Sequence, residues 1–138
     1  MDESSRTPLS VVEDLLPVRE AARSARNIIT DACVRWDLPH LVGPASLIVS
    51  ELASNVVDHA HTIMTLRASV RRSSLYLAMY DGSDAVPILR TVTGPMERGR
   101  GLHLVDALST AWGYRLEHGG KTVWATVAMT TPDPWHGR

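Results

Sequence analysis

The most constraining feature of the sequence is an apolar helix pattern near its centre. Between residues 45 and 56, apolar side chains recur at intervals of three, four and seven positions: Ala45, Ile48, Val49, Leu52 and Val56. This spacing places one apolar stripe along an α-helix that faces a core. We therefore predict a packed helix here, and the rest of the chain must supply the layer against which it packs.

A polar stripe runs beside the apolar one and carries Glu51, Asn55 and Asp58. At about 100° per residue, these side chains lie where the core meets solvent. A carboxylate one turn from a carboxamide can accept a proton and can bind a hard cation through oxygen. A solvated helix flank is the simpler interpretation of the same residues, and this helix alone leaves both interpretations open.

Composition limits the class of protein. The 138 residues are 44% hydrophobic and 21% charged, which predicts one globular domain over 1–138, with a core of about 9–130 and loose tails. The net charge of −1 gives no strong electrostatic footprint for nucleic acid or for an anionic membrane. The single Cys33 excludes an internal disulfide. With no signal segment and no apolar run of ~18 residues, we expect a cytoplasmic protein without a membrane or nucleic-acid partner.

Hydrophobic periodicity predicts two helices followed by strands. The first helix runs from Pro17 to Trp36, and the second begins at Gly43–Pro44. The predicted strands cover 63–70 and 75–80 as one hairpin and 112–116 and 123–129 as another, with a short edge strand at 9–13. Because strands and helices are segregated, we predict an α+β fold, a two-layer α/β sandwich with a mixed, mostly antiparallel sheet covered on one face by helices.

The first predicted hairpin ends at Asp81–Gly82. A carboxylate held by the sheet would accept a hydrogen bond from a ligand amino group, and Gly82 would let that ligand approach the backbone. Ordinary turn chemistry explains the same pair of residues. The aperiodic stretch that follows, Ser83 to Arg100, is long enough to be a functional lid.

A second glycine motif, Gly99–Arg100–Gly101–Leu102, opens a predicted short helix. Free amides and the positive end of a helix attract phosphate, and glycine permits close approach. The motif differs from a P-loop, since no Gly-Lys-Ser/Thr run opens a helix after a strand. Gly120–Lys121–Thr122 contains such a run, but we place it in a hairpin turn, where Lys121 is expected to be solvated.

Taken in order, four segments resemble the N-box, the two glycine boxes and the closing strand of the GHKL (Bergerat-fold) ATP-binding domain. These segments are Glu51–Asn55 with His59–Ala60, Asp81–Gly82, Gly99–Leu102 and Gly120–Trp124. From about Pro17 to Met129, the chain is most similar to the small stand-alone bacterial form, the anti-sigma factor and serine-protein kinase family. The resemblance implies the Bergerat ATP-binding fold, which is also called the histidine kinase-like ATPase domain.

The resemblance also implies ATP and Mg²⁺ as cofactors and a role for each motif residue. Asn55 would hold Mg²⁺, and Glu51 would be the catalytic general base toward a serine hydroxyl. Asp81 would accept from the adenine amino group, with Gly82 beside it and Thr122 in support. The lid motif would complete the nucleotide contacts, through Gly99, Arg100, Gly101 and Leu102.

The family resemblance implies an anti-sigma factor that phosphorylates a STAS-type anti-sigma factor antagonist and also binds a sigma factor, often as a homodimer. One alternative is a nucleotide-dependent protein-binding module without phosphotransfer. The others are a detached catalytic domain of a sensor histidine kinase and a fold that has lost its nucleotide.

Two positions depart from the family pattern. The first box lacks its second glycine, because Ser83 and Asp84 follow Gly82. Asp58 would place a negative charge near the triphosphate, which weakens binding unless Mg²⁺ offsets it. His59 and His61 flank Asp58, but no further ligand set accompanies them, so a transition-metal site is not favoured.

Overall fold

The computed structural model describes residues 9–85 and 101–130. Its strands form one sheet in the order β1-β2-β3-β5-β4, and every pair of neighbours is antiparallel. The strands are β1 (Ser10–Leu15), β2 (Met64–Arg71), β3 (Ser74–Asp81), β4 (Ala111–Glu117) and β5 (Gly120–Ala128). The described sheet is therefore antiparallel throughout, whereas the sequence predicted a mixed one.

In the described part of the chain, three α-helices cover one face of this sheet. They are α1 (Ala21–Arg35), α2 (Val42–Asn55) and α3 (Gly101–Leu108). Helix α2 packs against α1, α3, β3 and β5, and it forms the centre of the domain. The α+β two-layer fold predicted from the sequence is confirmed.

Side chains alternate along each strand between the two faces of the sheet. Leu66 and Met79 point toward the helices and are buried, whereas Arg67 and Tyr80 point to the uncovered face. The core comprises the helix-facing side chains of the strands and the apolar stripes of α1 and α2. Cys33 belongs to this core, where burial raises the pKa of its thiol, and it acts as a small apolar side chain as expected.

Helix α1 is shorter than predicted, because it begins at Ala21 and not at Pro17. Residues 17–20 form turns, and Val18 is exposed, so no core contact holds a first helical turn there. The helix ends close to the expected position. Asp37 takes a left-handed conformation with φ 60°, and the amide of Leu38 donates to the carbonyl of Cys33 at 2.8 Å, which is a Schellman cap.

The apolar stripe between Ala45 and Val56 is buried as predicted, and all of its members except Val56 lie in α2. A 3₁₀ turn (Pro39–Leu41) precedes this helix, and a π-helical turn (Val56–Ala60) follows it. The whole stretch Pro39–Ala60 is long and apolar enough to cross a membrane by length and composition alone. Most of its apolar side chains are nevertheless part of the domain core or pack against it, which accounts for their hydrophobicity.

The close approach of β5 to β3 depends on Gly120. A Cβ at this position would lie 2.0 Å from the carbonyl oxygen of Asp81 and 2.7 Å from the hydroxyl of Tyr80. The first of these atoms belongs to the backbone, so a side chain here has to push the two strands apart. Gly120 is therefore a packing requirement of the β3–β5 pair.

We expect Gly120→Ala to lower the free energy of unfolding by about 1–3 kcal/mol, the usual cost of overpacking. Gly43→Ala is the matched control, since its Cβ would meet nothing within 4 Å. Because Gly43 lies in α2, this change should raise the free energy of unfolding by up to about 1 kcal/mol. Urea unfolding monitored by Trp fluorescence measures both. Wild-type stability in Gly120→Ala would contradict the strand spacing described here.

Candidate functional site

Asp81 is the last residue of β3 and faces the helices at the end of the sheet. It lies opposite Lys121 of β5, and the Lys121 ammonium is 3.0 Å from each of the two carboxylate oxygens. The amide of Ser83 also donates to Oδ1 at 2.8 Å. Asp81 is 1% exposed and Lys121 is 8% exposed, so the two charges form a buried ion pair.

The expectation that Lys121 is solvated in a turn was wrong. The β4–β5 turn consists of His118 and Gly119, both with positive φ (54° and 76°), as in a two-residue hairpin loop. The strand therefore starts at Gly120, and Lys121 falls on the same face as Val123 and the buried residues after it. The sequence of β5 already indicated a buried position, because Lys121 lies two residues before Val123 in the alternation of apolar residues.

Thr122 was predicted to support the contact between Asp81 and a base, but the structure does not bring these two residues together. Thr122 points to the uncovered face, where it lies opposite Tyr80 and donates a hydrogen bond to Glu117. This hydrogen bond, assisted by Arg115, lowers the pKa of the Glu117 carboxyl. On the helix-covered face, Lys121 and not Thr122 is the residue of β5 that lies beside Asp81.

Glu51 and Asn55 lie one turn apart in the last part of α2, and both are partly buried. Burial raises the pKa of the Glu51 carboxyl, and the negative charge of Asp58 raises it further. A carboxylate with a raised pKa holds a proton more strongly, which makes Glu51 a better general base than an exposed glutamate.

The end of α2 is connected to the turn after Asp81 by one hydrogen bond. The π-helical turn ends at Ala60, and the next residue, His61, caps it in a left-handed conformation with φ 57°. The next residue, Thr62, accepts a hydrogen bond from the amide of Gly82 on its Oγ1 at 2.9 Å. The segment that follows the Glu51–Asn55 helix is thus attached to the segment that follows Asp81.

The second glycine motif is described only from its third residue onward. Gly99 and Arg100 lie outside the described residues, as does the predicted lid beyond Ala85. Gly101 is the first residue of α3, which confirms the short helix predicted after the glycines. Leu102 is buried at the start of α3, which packs on α2.

The site offers oxygen donors but no preformed metal cluster. Within residues 9–85 and 101–130, no group of three His, Cys, Asp or Glu side chains could hold a metal ion. A transition-metal site at His59 and His61 therefore has no support in the described part of the chain.

Comparison with known proteins identifies the family. Residues 16–127 match the family model of the histidine kinase-like ATPase domain. The chain belongs to this family. The match covers most of the chain, from the turn before α1 to the end of the last strand, and it confirms the resemblance that the four sequence segments indicated.

A solved structure has the same fold. The chain is similar to the crystal structure of the RsbU and RsbW domains of Rv1364c from Mycobacterium tuberculosis, with a TM-score of 0.67 and 18% sequence identity. The similarity covers 88% of this chain and 32% of the other, so the chain spans about a third of the length of that protein. No curated protein sequence matches the chain.

The raised pKa of Glu51 has a consequence for stability. Because the native state holds the Glu51 proton more tightly than the unfolded state, the free energy of unfolding should fall as pH rises from the ordinary value of 4.5 through the native pKa. Glu51→Gln removes this penalty and should stabilise the protein at pH 7 by at most about 1 kcal/mol, since solvent screens a half-exposed group.

Urea unfolding between pH 4 and pH 8 tests this expectation. The matched control is Glu13→Gln, which removes an exposed carboxylate from β1 and reports the general effect of losing one negative charge. A Glu51→Gln variant that is less stable than wild type at pH 7 would mean that the native state favours the ionised carboxylate.

Proposed function

We propose that the chain is a cytoplasmic ATP- and Mg²⁺-binding regulator, an anti-sigma factor with serine-protein kinase activity toward a STAS-type antagonist. Membership of the histidine kinase-like ATPase domain family supports nucleotide binding. One structural observation gives the proposal its strongest support. Glu51 is a half-buried carboxylate with a raised pKa, and it lies one turn before Asn55 on the helix that leads through Thr62 to Asp81–Gly82.

The donor set fits Mg²⁺ held together with phosphates. Mg²⁺ usually keeps several waters and binds one or two protein oxygens plus the phosphates of its ligand. The partly exposed Asn55 offers one such hard oxygen, and no complete protein cage is needed. The ion would neutralise negative charge on the phosphates. It would thereby reduce the repulsion between the phosphates and Asp58.

Glu51 would act on the incoming serine. Its carboxylate would take the hydroxyl proton while the serine oxygen bonds to the γ-phosphorus of ATP. The bond between this phosphorus and the β–γ bridging oxygen breaks, and ADP leaves with that oxygen. The raised pKa of Glu51 improves its match to this proton transfer at neutral pH.

Asp81 and Gly82 would contact the adenine, with the Asp81 carboxylate accepting from the amino group. The protein itself does not require a glycine at 82, since an added Cβ would meet Thr62 at an ordinary 3.5 Å. A ligand lying against this backbone is a reason for the missing side chain. Gly99, Arg100, Gly101 and Leu102 would bring lid amides to the phosphates, as the family resemblance implies.

The proposed partners are a STAS-type antagonist and a sigma factor, with a homodimer as the possible binding form. The fold shared with the structure that contains an RsbW domain is compatible with this proposal. The alternative is a nucleotide-dependent protein-binding module without phosphotransfer. In that case ATP would change partner affinity by favouring one conformation of the chain.

Thermal unfolding with and without Mg·ATP tests the nucleotide site. Ligand at 100 times its dissociation constant should stabilise the protein by ~2.7 kcal/mol, which is several degrees in Tm for a domain of this size. We expect this shift in wild type and in Glu51→Gln, but not in Asn55→Ala. Asn27→Ala, in the exposed face of α1, is the matched control.

Transfer of labelled γ-phosphate to a STAS-domain antagonist tests the reaction. Loss of a general base typically costs 10²–10⁴-fold, so Glu51→Gln should transfer at least ~100-fold more slowly while still binding ATP. Transfer at the wild-type rate would remove Glu51 from the reaction. ATP-dependent complex formation without any transfer would favour the binding module.

A further inference from the structure

The Asp81 carboxylate, which the proposed function assigns to the base, already has protein partners. An ionised carboxylate has about four sites for hydrogen bonds. Lys121 fills one site on each oxygen, and the Ser83 amide fills a second site on Oδ1. Among the residues that the structure describes, none fills the fourth site, which lies on Oδ2 next to the Lys121 ammonium.

Burial of both side chains limits the access of a ligand to the Asp81 carboxylate. The Asp81 side chain is 2% exposed and the Lys121 side chain is 10% exposed. Such a pair leaves almost no free approach to the carboxylate. A charged donor also holds a carboxylate more strongly than a neutral amino group does.

The backbone fixes the pair in this position. Asp81 and Lys121 are direct partners in the β3–β5 register, and the missing side chain of Gly120 lets the two strands approach closely there. Strand movement therefore cannot separate the charges without breaking the sheet. Rotation of the flexible four-carbon lysine stem can separate them at lower cost.

We propose that Lys121 competes with the nucleotide base for Asp81 and thereby sets the affinity of the site. This inference rests on the proposed function, because it takes the Asp81 carboxylate to be the acceptor for the base. The amino group of adenine gains Asp81 as an acceptor only when the Lys121 ammonium leaves it. Lys121 is then a specificity-determining residue, since the competition affects nucleotides that carry an amino group at this position.

The direction in which one substitution changes the affinity for ATP separates this proposal from a general charge effect. Removing a positive charge normally weakens the binding of a polyanion such as ATP. Competition predicts the opposite, namely that Lys121→Met binds ATP about tenfold or more tightly than wild type, the gain expected from one hydrogen bond to a charged group. Isothermal titration calorimetry with Mg·ATP measures the dissociation constant.

Two controls isolate the effect. Arg115→Met removes the same charge from β4, opposite Thr122 on the uncovered face, and should leave ATP affinity unchanged or weaker. The second control is purine riboside triphosphate, which lacks the amino group. Lys121→Met should not bind this compound more tightly than wild type does.

A second variant protects the test against misfolding, because Lys121→Met leaves a buried carboxylate without its ion pair. Lys121→Arg keeps the charge and can hold Asp81 with two hydrogen bonds. It should bind ATP more weakly than wild type.

The outcomes distinguish the inference from the proposed function. If wild type binds ATP and folded Lys121→Met binds it no more tightly, the competition is overturned and the proposed function stands. If only Lys121→Met binds ATP, the competition is supported and kinase activity of the wild-type chain is refuted. If neither folded protein binds ATP, both proposals are overturned.

Discussion

Packing around α2 is the constraint on which the rest of the structure depends. This helix contacts α1 and α3 in its own layer and β3 and β5 in the sheet. Its stripe from Ala45 to Val56 is buried, which fixes the rotation of the helix about its axis. Once this rotation is fixed, Glu51 and Asn55 have to emerge at the edge of the helix layer. The chemistry of the site is thus a consequence of hydrophobic packing.

The same packing places two carboxylates in opposite electrostatic environments. Glu51 is half buried beside another acid, and its pKa is raised. Asp81 is almost fully buried, and it accepts hydrogen bonds from the Lys121 ammonium and the Ser83 amide. One carboxylate therefore lies beside another acid, whereas the other lies among hydrogen-bond donors. The two environments match the separate roles that the proposed function gives these residues.

Most of the fold could be predicted from the sequence because its elements have clear periods. The strand around Leu66 alternates between buried and more exposed positions, and the stripe from Ala45 to Val56 follows the helical period over about three turns. The start of α1 was misplaced, since Val18 fits the helical period but has no core contact in the structure. Periodicity records which side chains are apolar, and it does not record whether a partner surface reaches them.

The site was predicted less completely, for a related reason. The sequence selected Glu51, Asn55 and Asp81 as candidates, each within a local motif. It missed the role of Lys121, because the partner of this lysine is 40 positions away and only the register of β3 and β5 brings them together. Thr122 was assigned in its place, although it lies on the other face of the sheet. A polar residue that shares its face of a strand with buried apolar residues is expected to have a buried polar partner. Lys121 has such a position in β5.

The π-helical turn at Val56–Ala60 connects the two halves of the site. Such a turn is geometrically an α-helix that has accepted one additional residue. The apolar stripe of α2 keeps its phase up to this point, and the extra residue changes the direction in which the chain leaves the helix. Thr62 reaches Gly82 from that direction. A single-residue insertion or deletion in this turn would therefore change the spacing between the helix and the sheet end, while the buried stripe of α2 before the turn keeps its place in the core.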